Sequence, residues 1–329
     1  MQAAFYTATG PATEVLKVGD QETPKPGPGE LLVRLHASGV NPSDVKARAG
    51  LRVGSSGMPY PSIVPHSDGA GIVSAVGEGV NSNKIGKRVW LCNGQWQRAS
   101  GTAAQYIAID KSLVFDLPEH CHFTEGAALG IPALTAAHCV FAGGPVEDQC
   151  ILINGGAGTV GHLAVQLAAA GGAKVIATAS ASKKQQLLDA GANVALDYRS
   201  PSLAADILAA NDGQPVDRIV EVEFGMNADV DAEVIIKRGT VAAYGSAQNI
   251  RPELPFYPFM FKGVNLDMVL VYELTTAERK AAAEHVNDAL ISKQLQLPIH
   301  ARYPLRDCAS AHEAVEAGDR HGAIIVEIP

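Results

Sequence analysis

The chain has few cysteines and no long hydrophobic run. Its 329 residues include five cysteines, which are scattered and form no Cys-x-x-Cys pair. This spacing argues against a disulfide framework and a zinc cluster, and it predicts buried, reduced thiols in an intracellular protein. No apolar stretch approaches the roughly 20 residues of a membrane helix. The first residues show no basic segment followed by an apolar one, so we expect a cytoplasmic protein without a signal peptide.

An excess of basic residues is also missing. Lysine and arginine number 26 against 34 acidic residues, which gives a net charge of −8. Such a balance helps solubility and argues against nucleic acid as a partner. The length suits two domains better than one.

Residues 1 to about 120 are typical of a β-rich domain. The short apolar or alternating runs, each bounded by Gly, Pro or Asn, predict strands; they are 31–40, 69–77, 88–92 and 103–109. The segment 22–30, ETPKPGPGE, is too rich in proline and glycine for a regular element. A helix is then predicted from Thr124 to the Gly-Gly pair at 143–144.

Strands and helices alternate after that helix, which predicts a parallel sheet covered by helices. The predicted strands are CILIN (150–154), AKVIATA (173–179), NVALDY (193–198), VDRIVEV (216–222), TVAAYG (240–245) and LDMVLVY (266–272). The predicted helices lie at about 159–170, 182–190, 202–210, 227–237 and 276–293, and AIIVEI closes the chain. The pattern indicates a β-rich domain interrupted by an α/β domain, with the tail returning to the first.

The turn after the first of these strands carries three evenly spaced glycines, Gly155, Gly158 and Gly161. Glycine lets the backbone turn tightly and approach a pyrophosphate, whose oxygens then accept from the N–H groups at the helix start. Because the motif follows a strand and opens a helix, it predicts dinucleotide binding.

The end of the second strand indicates which dinucleotide the protein binds. An NAD site usually has an acidic residue there to bind the ribose 2′-hydroxyl, but this strand ends in Ser180. Lys183 and Lys184 follow, and Tyr198 and Arg199 come after the third strand. A hydroxyl with nearby positive charge suits a 2′-phosphate, so the sequence predicts NADPH.

Several motifs together resemble the zinc-free quinone oxidoreductase or zeta-crystallin branch of the medium-chain dehydrogenase/reductase family. They are PGPGELLVRLHASGVNPSDVKARAG, PHSDGAGIVSAVGEGV, GAALGIPALTAAHC, NGGAGTVGHLAVQLA, DAGANVALDYR and AHEAVEAGDRHGAIIVEIP. The resemblance implies an α/β protein with a GroES-like catalytic domain (1–122), a Rossmann doubly wound NADPH domain (123–271) and a return to the catalytic domain (272–329). It also implies an active site in the cleft between domains, and a homodimer paired through 266–272, since a long apolar edge strand needs covering.

The resemblance assigns the cofactor contacts. The implied positions are Asn41, Thr135, Gly155, Ala157, Gly158, Thr159, Val160, Gly161, Ser180, Lys184, Tyr198, Tyr244, Gly245, Ser246, Val269, Val271 and Arg320. Asn41 belongs to the nicotinamide ribose region and Thr135 to the nicotinamide, whereas Val269 and Val271 present backbone groups to the carboxamide.

The same comparison argues against a metal. Asn41 and Ser67 stand where the zinc alcohol dehydrogenases have a cysteine and a histidine ligand, and His66, one position early, is interpreted as non-ligating. An asparagine–serine pair cannot replace a thiolate and an imidazole. We therefore expect no metal.

Hydride transfer to a quinone is the predicted activity. Lys46 is the candidate to stabilise the developing oxyanion, with Asn41 beside the nicotinamide, and an exposed helix-turn lysine is the alternative role for Lys46. The family's best-known members carry a tyrosine at position 46, so the lysine bears on the choice of acceptor. Tyr60 and Trp96 are candidate walls of the substrate pocket. An enone or alkenal C=C reductase, and a non-enzymatic, crystallin-like NADPH-binding protein, are the alternative functions.

Overall fold

A computed structural model describes residues 1–51, 57–318 and 320–329 of the chain. The chain forms two compact units, the first made of residues 1–131 and 297–329 and the second of residues 132–296. No helix in the described ranges is long and apolar enough to cross a membrane. All five cysteines are buried free thiols.

The first unit is built on a mixed sheet. Its strands are β1 (Gln2–Phe5), β2 (Lys17–Asp20), β3 (Glu30–Val40), β4 (Asp68–Val76), β5 (Arg88–Leu91), β6 (Tyr106–Asp110), β7 (Val114–Asp116), β14 (Ile299–Pro304) and β15 (Ala323–Glu327). Its helices are α1 (Ala12–Val15), α2 (Pro42–Ala49), α3 (Phe123–Gly126) and α11 (Cys308–Ala317). The main sheet has the order β14-β15-β3-β4-β5-β7, with β6 also paired to β3, and β1 and β2 form a separate pair.

The second unit is a parallel sheet covered by helices. Its strands are β8 (Cys150–Ile153), β9 (Lys174–Ala179), β10 (Val194–Asp197), β11 (Val216–Glu221), β12 (Ile235–Ala243) and β13 (Asn265–Met268). Its helices are α5 (Thr159–Ala170), α6 (Lys184–Asp189), α7 (Leu203–Ala210), α8 (Phe224–Val234), α9 (Phe256–Lys262) and α10 (Thr276–Ile291); α4 (Gly130–Phe141) leads into this unit.

The order β10-β9-β8-β11-β12-β13 confirms the predicted Rossmann architecture. Numbered within the unit it reads 3-2-1-4-5-6, so the order reverses between β8 and β11, where such sheets bind ligands at the carboxyl ends of their strands. The central strands β8 and β9 are largely apolar and buried because both faces of the sheet are covered. Leu152, Ile176, Ile219 and Val241 belong to the core of this unit.

The single helix predicted from Thr124 to Gly144 is wrong, because α3 ends at Gly126 and α4 begins at Gly130. The Asp68 carboxylate accepts the Ile131 backbone N–H at 2.9 Å and so satisfies a donor in the first turn of α4. A Cβ at Gly130 would collide with the same carboxylate. A residue distant in sequence therefore starts a new helix.

Two other elements differ from the predictions. The strand predicted at 266–272 ends at Met268, and the chain then turns through a short 3₁₀ segment, Val271–Glu273. Residues 272–296, predicted to return to the first domain, belong to the second unit. There Gln166 of α5 pairs with both backbone groups of Gln296, at 2.7 Å and 3.0 Å.

Candidate cofactor site

The loop after β8 turns tightly because Gly155 has a left-handed backbone, with φ of 69°. Gly156 donates its N–H to the Thr178 carbonyl at 2.9 Å, which ties the loop to β9. Gly161 has no room for a side chain, since a Cβ there would collide with the Gly155 carbonyl. Gly155 and Gly161 are thus required by the strand–helix turn itself.

Gly158 serves a different purpose. Its backbone, with φ −76° and ψ 166°, is open to any residue. A Cβ there would meet nothing nearer than the Gly155 carbonyl oxygen at 3.4 Å. The glycine leaves clear space before α5, and it offers no side-chain cap to the helix. The first N–H groups of a helix lack internal partners, so this cradle fits a pyrophosphate; it is lined by the half-buried residues Ala157, Thr159 and Val160.

A buried polar network lies at the carboxyl ends of β8 and β11. The Asn154 side-chain amide donates to the Glu221 carboxylate and, at 3.2 Å, to Asp231. The Thr178 hydroxyl donates to the amide oxygen of Asn154 at 3.1 Å. Burial, with the charge of Glu221 beside it, raises the pKa of Asp231 well above its ordinary value. The raised pKa favours the protonated form of the Asp231 carboxyl group beside the carboxylate of Glu221.

Sequence reasoning missed this network. Its members lie directly after β8 and on β9, β11 and α8, and no local sequence pattern joins them. The available signal was Glu221, a carboxylate that directly follows the apolar pair Ile219–Val220 at the end of a predicted strand. A charged residue at a buried strand end is unusual unless it has partners.

The predicted 2′-phosphate residues lie at neighbouring strand ends. Ser180 follows β9 and Tyr198 follows β10, and the Tyr198 N–H donates to the Ala179 carbonyl at 3.1 Å. Lys184 begins α6 and is half-buried, as is Ser180. Tyr198 is exposed, with the Arg199 guanidinium 5.0 Å from its ring centre. The structure thus brings Ser180 and Tyr198 to adjacent positions.

The predicted residues after β12 and β13 are held mainly by backbone contacts. Tyr244 donates its N–H to the Glu221 carbonyl at 2.9 Å, and a Cβ at Gly245 would collide with the Val222 carbonyl. The Ser246 hydroxyl accepts from the Gly225 N–H at 2.9 Å and donates to the Asn249 carbonyl at 2.5 Å, so it joins the start of α8 to the loop after β12.

Some backbone groups after β13 already take part in hydrogen bonds within the protein. Val269 donates its N–H to the Ala243 carbonyl at 2.8 Å, and Val271 is buried at the start of the 3₁₀ turn. Thr135 is also buried, on α4.

In the first unit, Asn41 caps the start of α2 and is 8% exposed. Its side-chain amide donates to the Asp68 carboxylate at 2.7 Å, and its backbone N–H donates to Asp44 at 2.8 Å. Lys46 is exposed on the same helix, whereas Asp44 and Arg48 are buried. The two candidate catalytic residues thus differ sharply in burial.

The remaining candidates also belong to the first unit. The Tyr60 hydroxyl donates to the Gln97 carbonyl at 2.5 Å, which joins its loop to that of the half-buried Trp96. Arg320 donates to the Val315 carbonyl at 3.0 Å, in the last turn of α11, and burial lowers its pKa.

The positions of a catalytic zinc do not fit that metal. Asn41 presents an amide N–H₂ to Asp68, and an N–H₂ group has no lone pair for a metal. Ser67 is a buried serine at the position where the zinc alcohol dehydrogenases have a histidine ligand. Zinc sites of this kind need thiolate or imidazole donors.

Comparisons with known proteins agree with this architecture. The profile of the alcohol dehydrogenase GroES-like domain matches residues 27–119, and that of zinc-binding dehydrogenases matches residues 159–288. A quinone oxidoreductase of Sus scrofa is 34% identical over 310 residues, covering 92% of this chain and 90% of the relative.

Solved structures lead to the same group. A mycobacterial quinone oxidoreductase superposes with a TM-score of 0.88 at 29% identity, covering 99% of both chains. A mycobacterial structure complexed with NADPH gives a TM-score of 0.84 at 28% identity, covering 99% of this chain and 100% of the other.

Proposed function

The chain belongs to the quinone oxidoreductase branch of the medium-chain dehydrogenase/reductase family, and on that basis we propose that it transfers hydride from NADPH to a quinone without a metal. The oxidoreductase class follows from the family. The choice of quinone as acceptor rests on the names of relatives at about one-third identity.

The residue after β9 is the main support for NADPH as the cofactor. Ser180 stands where an acidic residue would repel a 2′-phosphate, with Lys184 four residues later and Tyr198 on the neighbouring strand end. A mycobacterial structure of the same fold contains NADPH. When bound, the nicotinamide supplies a hydride.

The residues of this chain bind and orient the cofactor. The cradle at Gly158 and the first turn of α5 hold the pyrophosphate, whose charge the helix N-terminus favours. Ser180, Lys184 and Tyr198 hold the 2′-phosphate through charge-assisted and neutral hydrogen bonds. The acceptor gains one hydride and one solvent proton, which converts a quinone to a hydroquinone.

Metal independence is supported by the residues at positions 41 and 67. An amide and a hydroxyl there leave no thiolate–imidazole set for a catalytic zinc. Charge on the acceptor oxygen then needs another stabilising group.

Lys46 is the proposed stabiliser of that charge. Its side chain is exposed, and its ammonium group makes no ion pair with the described residues. An ammonium near the developing oxyanion stabilises the transition state more than the ground state. Asn41 precedes Lys46 by five residues, and its side chain is held by the hydrogen bond to Asp68. In this proposal Asn41 supports the nicotinamide region.

An acceptor panel tests the proposal and its two alternatives. NADPH oxidation is followed with quinones, with enones and alkenals, and with a chelator present. We expect the highest kcat/KM for a quinone and no loss with chelator. Preference for enones would instead indicate C=C reduction, whereas stoichiometric NADPH binding without turnover of any acceptor would indicate a binding protein.

A further inference from the structure

Three potential metal ligands meet in the core of the first unit. His66, Cys308 and His312 are each fully buried, and one donor atom of each lies within 4.8 Å of the other two. Nε2 of His66 lies 2.8 Å from Nε2 of His312 and 3.9 Å from Sγ of Cys308. We refer to these three residues as the His66 cluster.

Two of the ligands come from one helix. Cys308 and His312 are four residues apart on α11, a spacing that puts both side chains on the same face. Helical metal motifs use the same i, i+4 spacing to direct two donors to one point. The chain therefore provides a two-donor half-site without any special loop.

The third ligand is held in an uncommon backbone conformation. His66 has φ of 77°, in the left-handed region that a non-glycine residue rarely adopts. Its backbone carbonyl accepts the Thr102 N–H at 3.0 Å, which fixes this turn. Such strained residues cluster at functional sites.

Hydrogen bonds around His66 define which of its nitrogens carries the proton. The Thr102 hydroxyl donates to the Asp68 carbonyl at 2.6 Å, so Ser38 donates its own hydroxyl hydrogen to Thr102 at 2.7 Å. Ser38 is then left to accept from Nδ1 of His66 at 2.8 Å. The Nε2 lone pair of His66 consequently points into the cluster, as second-shell contacts arrange it in metal sites.

We propose that His66, Cys308 and His312 form a buried binding site for a borderline-soft divalent cation of the zinc type. Zinc–nitrogen bonds of about 2.0–2.1 Å and a zinc–sulfur bond of about 2.3 Å put tetrahedral donors roughly 3.3–3.6 Å apart. The two distances measured from His66 differ from that range by about half an ångström or less. The distance between the donors of Cys308 and His312 is within 4.8 Å, so side-chain rotations on α11 would complete the site. The fourth position takes a water molecule.

Binding releases one proton. The Cys308 thiol loses its hydrogen as sulfur bonds the cation, and His312 moves its hydrogen from Nε2 to Nδ1 to free the ligating lone pair. Nδ1 of His312 has no hydrogen-bond partner among the described residues, so the tautomer change breaks no hydrogen bond there.

The electrostatics of the cluster agree with this role. Burial lowers the pKa of His312 to about 3 and that of His66 well below its ordinary value, so both rings are neutral at physiological pH. Neutral imidazole is the ligating form. Burial raises the pKa of Cys308 to about 12, so the thiol is inert until a cation stabilises its thiolate.

This site departs from the expectation of a metal-free protein, but it is distinct from the positions of a catalytic zinc because it uses neither Asn41 nor Ser67. Its ligands join α11 to the turn before β4, so we assign it a structural role. Its test is therefore independent of cofactor and acceptor.

Cobalt(II) provides the probe, since a thiolate ligand gives a near-ultraviolet charge-transfer band and tetrahedral geometry gives visible bands. The full chain is refolded with Co²⁺ because the cluster is buried, and Zn²⁺ is then added in competition. We expect one Co²⁺ per chain, both sets of bands and their loss on Zn²⁺ addition. Lack of stoichiometric Co²⁺ or of the thiolate band would overturn the proposal.

Variants identify the ligands. Cys308→Ser should abolish the thiolate band, whereas Cys121→Ser, at another buried thiol of the same unit, should retain it. Ser38→Ala should weaken Zn²⁺ binding by about 10- to 100-fold as a positioning effect. Should Cys308→Ser fail to fold, His312→Gln replaces it. A thiolate band that persists in Cys308→Ser, or an unchanged spectrum and affinity in His312→Gln, would disprove the assignment.

Discussion

The side-chain amide of Asn41 donates to the buried carboxylate of Asp68 at 2.7 Å, and this contact joins the start of α2 to the start of β4. The same carboxylate accepts the Ile131 N–H at the start of α4. Burial raises the pKa of Asp68 well above its ordinary value, and the hydrogen bond from Asn41 opposes that rise. Asn41 is therefore a structural residue of the first unit, whatever it contributes to the cofactor.

Asn41→Ala should destabilise the protein. The change leaves one oxygen of a buried carboxyl group without its donor, which costs about 1–3 kcal/mol. Urea unfolding at neutral pH measures the loss. Ser74→Ala, which removes an exposed hydroxyl bonded to the Leu32 carbonyl, is the control and should change the free energy of unfolding much less. Equal stability of Asn41→Ala and wild type would show that the contact contributes little.

Lys46→Met should lower turnover by about 10²–10³-fold, because it removes the proposed oxyanion stabiliser while keeping most of the side-chain length. Affinity for NADPH should stay close to wild type. Steady-state kinetics with quinones and a separate cofactor titration distinguish the two effects. Normal turnover on every acceptor would make Lys46 a surface residue.

Lys184→Ala should weaken NADPH binding and leave NADH nearly unchanged. A charge-assisted hydrogen bond to the 2′-phosphate is worth roughly 1.5–3 kcal/mol, or about 10- to 100-fold in affinity. Lys183→Ala is the matched control, since Lys183 is the adjacent half-buried lysine. Fluorescence titration with both cofactors gives the ratio of the affinities for NADPH and NADH in each variant. Equal losses for NADPH and NADH would remove Lys184 from the phosphate site.

Asp231→Asn should make stability less dependent on pH. Because the pKa of Asp231 is raised in the folded protein, the folded state binds its proton more tightly than the unfolded chain does. The contribution of Asp231 to the free energy of unfolding is therefore complete below its unfolded pKa of about 3.9. That contribution falls as the pH rises toward the pKa of Asp231 in the folded protein. Asparagine mimics the protonated side chain and removes that loss.

Urea unfolding across pH measures the effect. The difference between Asp231→Asn and wild type should grow in favour of the variant as pH rises above about 4. Asp206→Asn provides a control, since its carboxylate accepts from Ser200 and Ser202 near the surface. A constant difference at every pH would indicate that Asp231 is ionised in the folded protein.

We expect the protein to be a homodimer paired through β13. This strand is at the edge of the parallel sheet, and Met268 at its end is 62% exposed, with Leu270 at 49% and Phe261 at 75%. Exposed apolar edge strands are usually paired or covered. Met268→Glu should therefore give monomers in sedimentation velocity, whereas Ile85→Glu, at an exposed apolar residue of the first unit, should not. Wild-type protein that sediments as a monomer at every concentration would contradict this expectation.

Local patterns predicted most of the second unit, although the helix predicted at about 227–237 ends at Val234 and helix α9 was not predicted. Helix α5 has the predicted bounds, because the glycine turn defines its start and Gly171–Gly172 its end. Parallel order also placed Ser180 beside Tyr198, since successive strands of a βαβ unit commonly pair.

Contacts between distant residues were not predictable in this way. Asp68 divides the expected helix at 124–144, Glu221 meets Asp231 from another element, and His66 meets α11 across most of the chain. Each depends on a tertiary arrangement of polar side chains, and such groups leave no periodic signal in the sequence.

The position of β15 has a consequence for synthesis on the ribosome. Residues 324–327 pair with residues 37–40 of β3, so part of a central strand stays unpaired until residues 324–327 have been translated. The second unit, residues 132–296, is complete before then and can fold first, although the N-terminal segment is made earlier. During that interval the nascent chain carries an open strand edge, and slower translation lengthens the time in which this edge is able to pair with other chains.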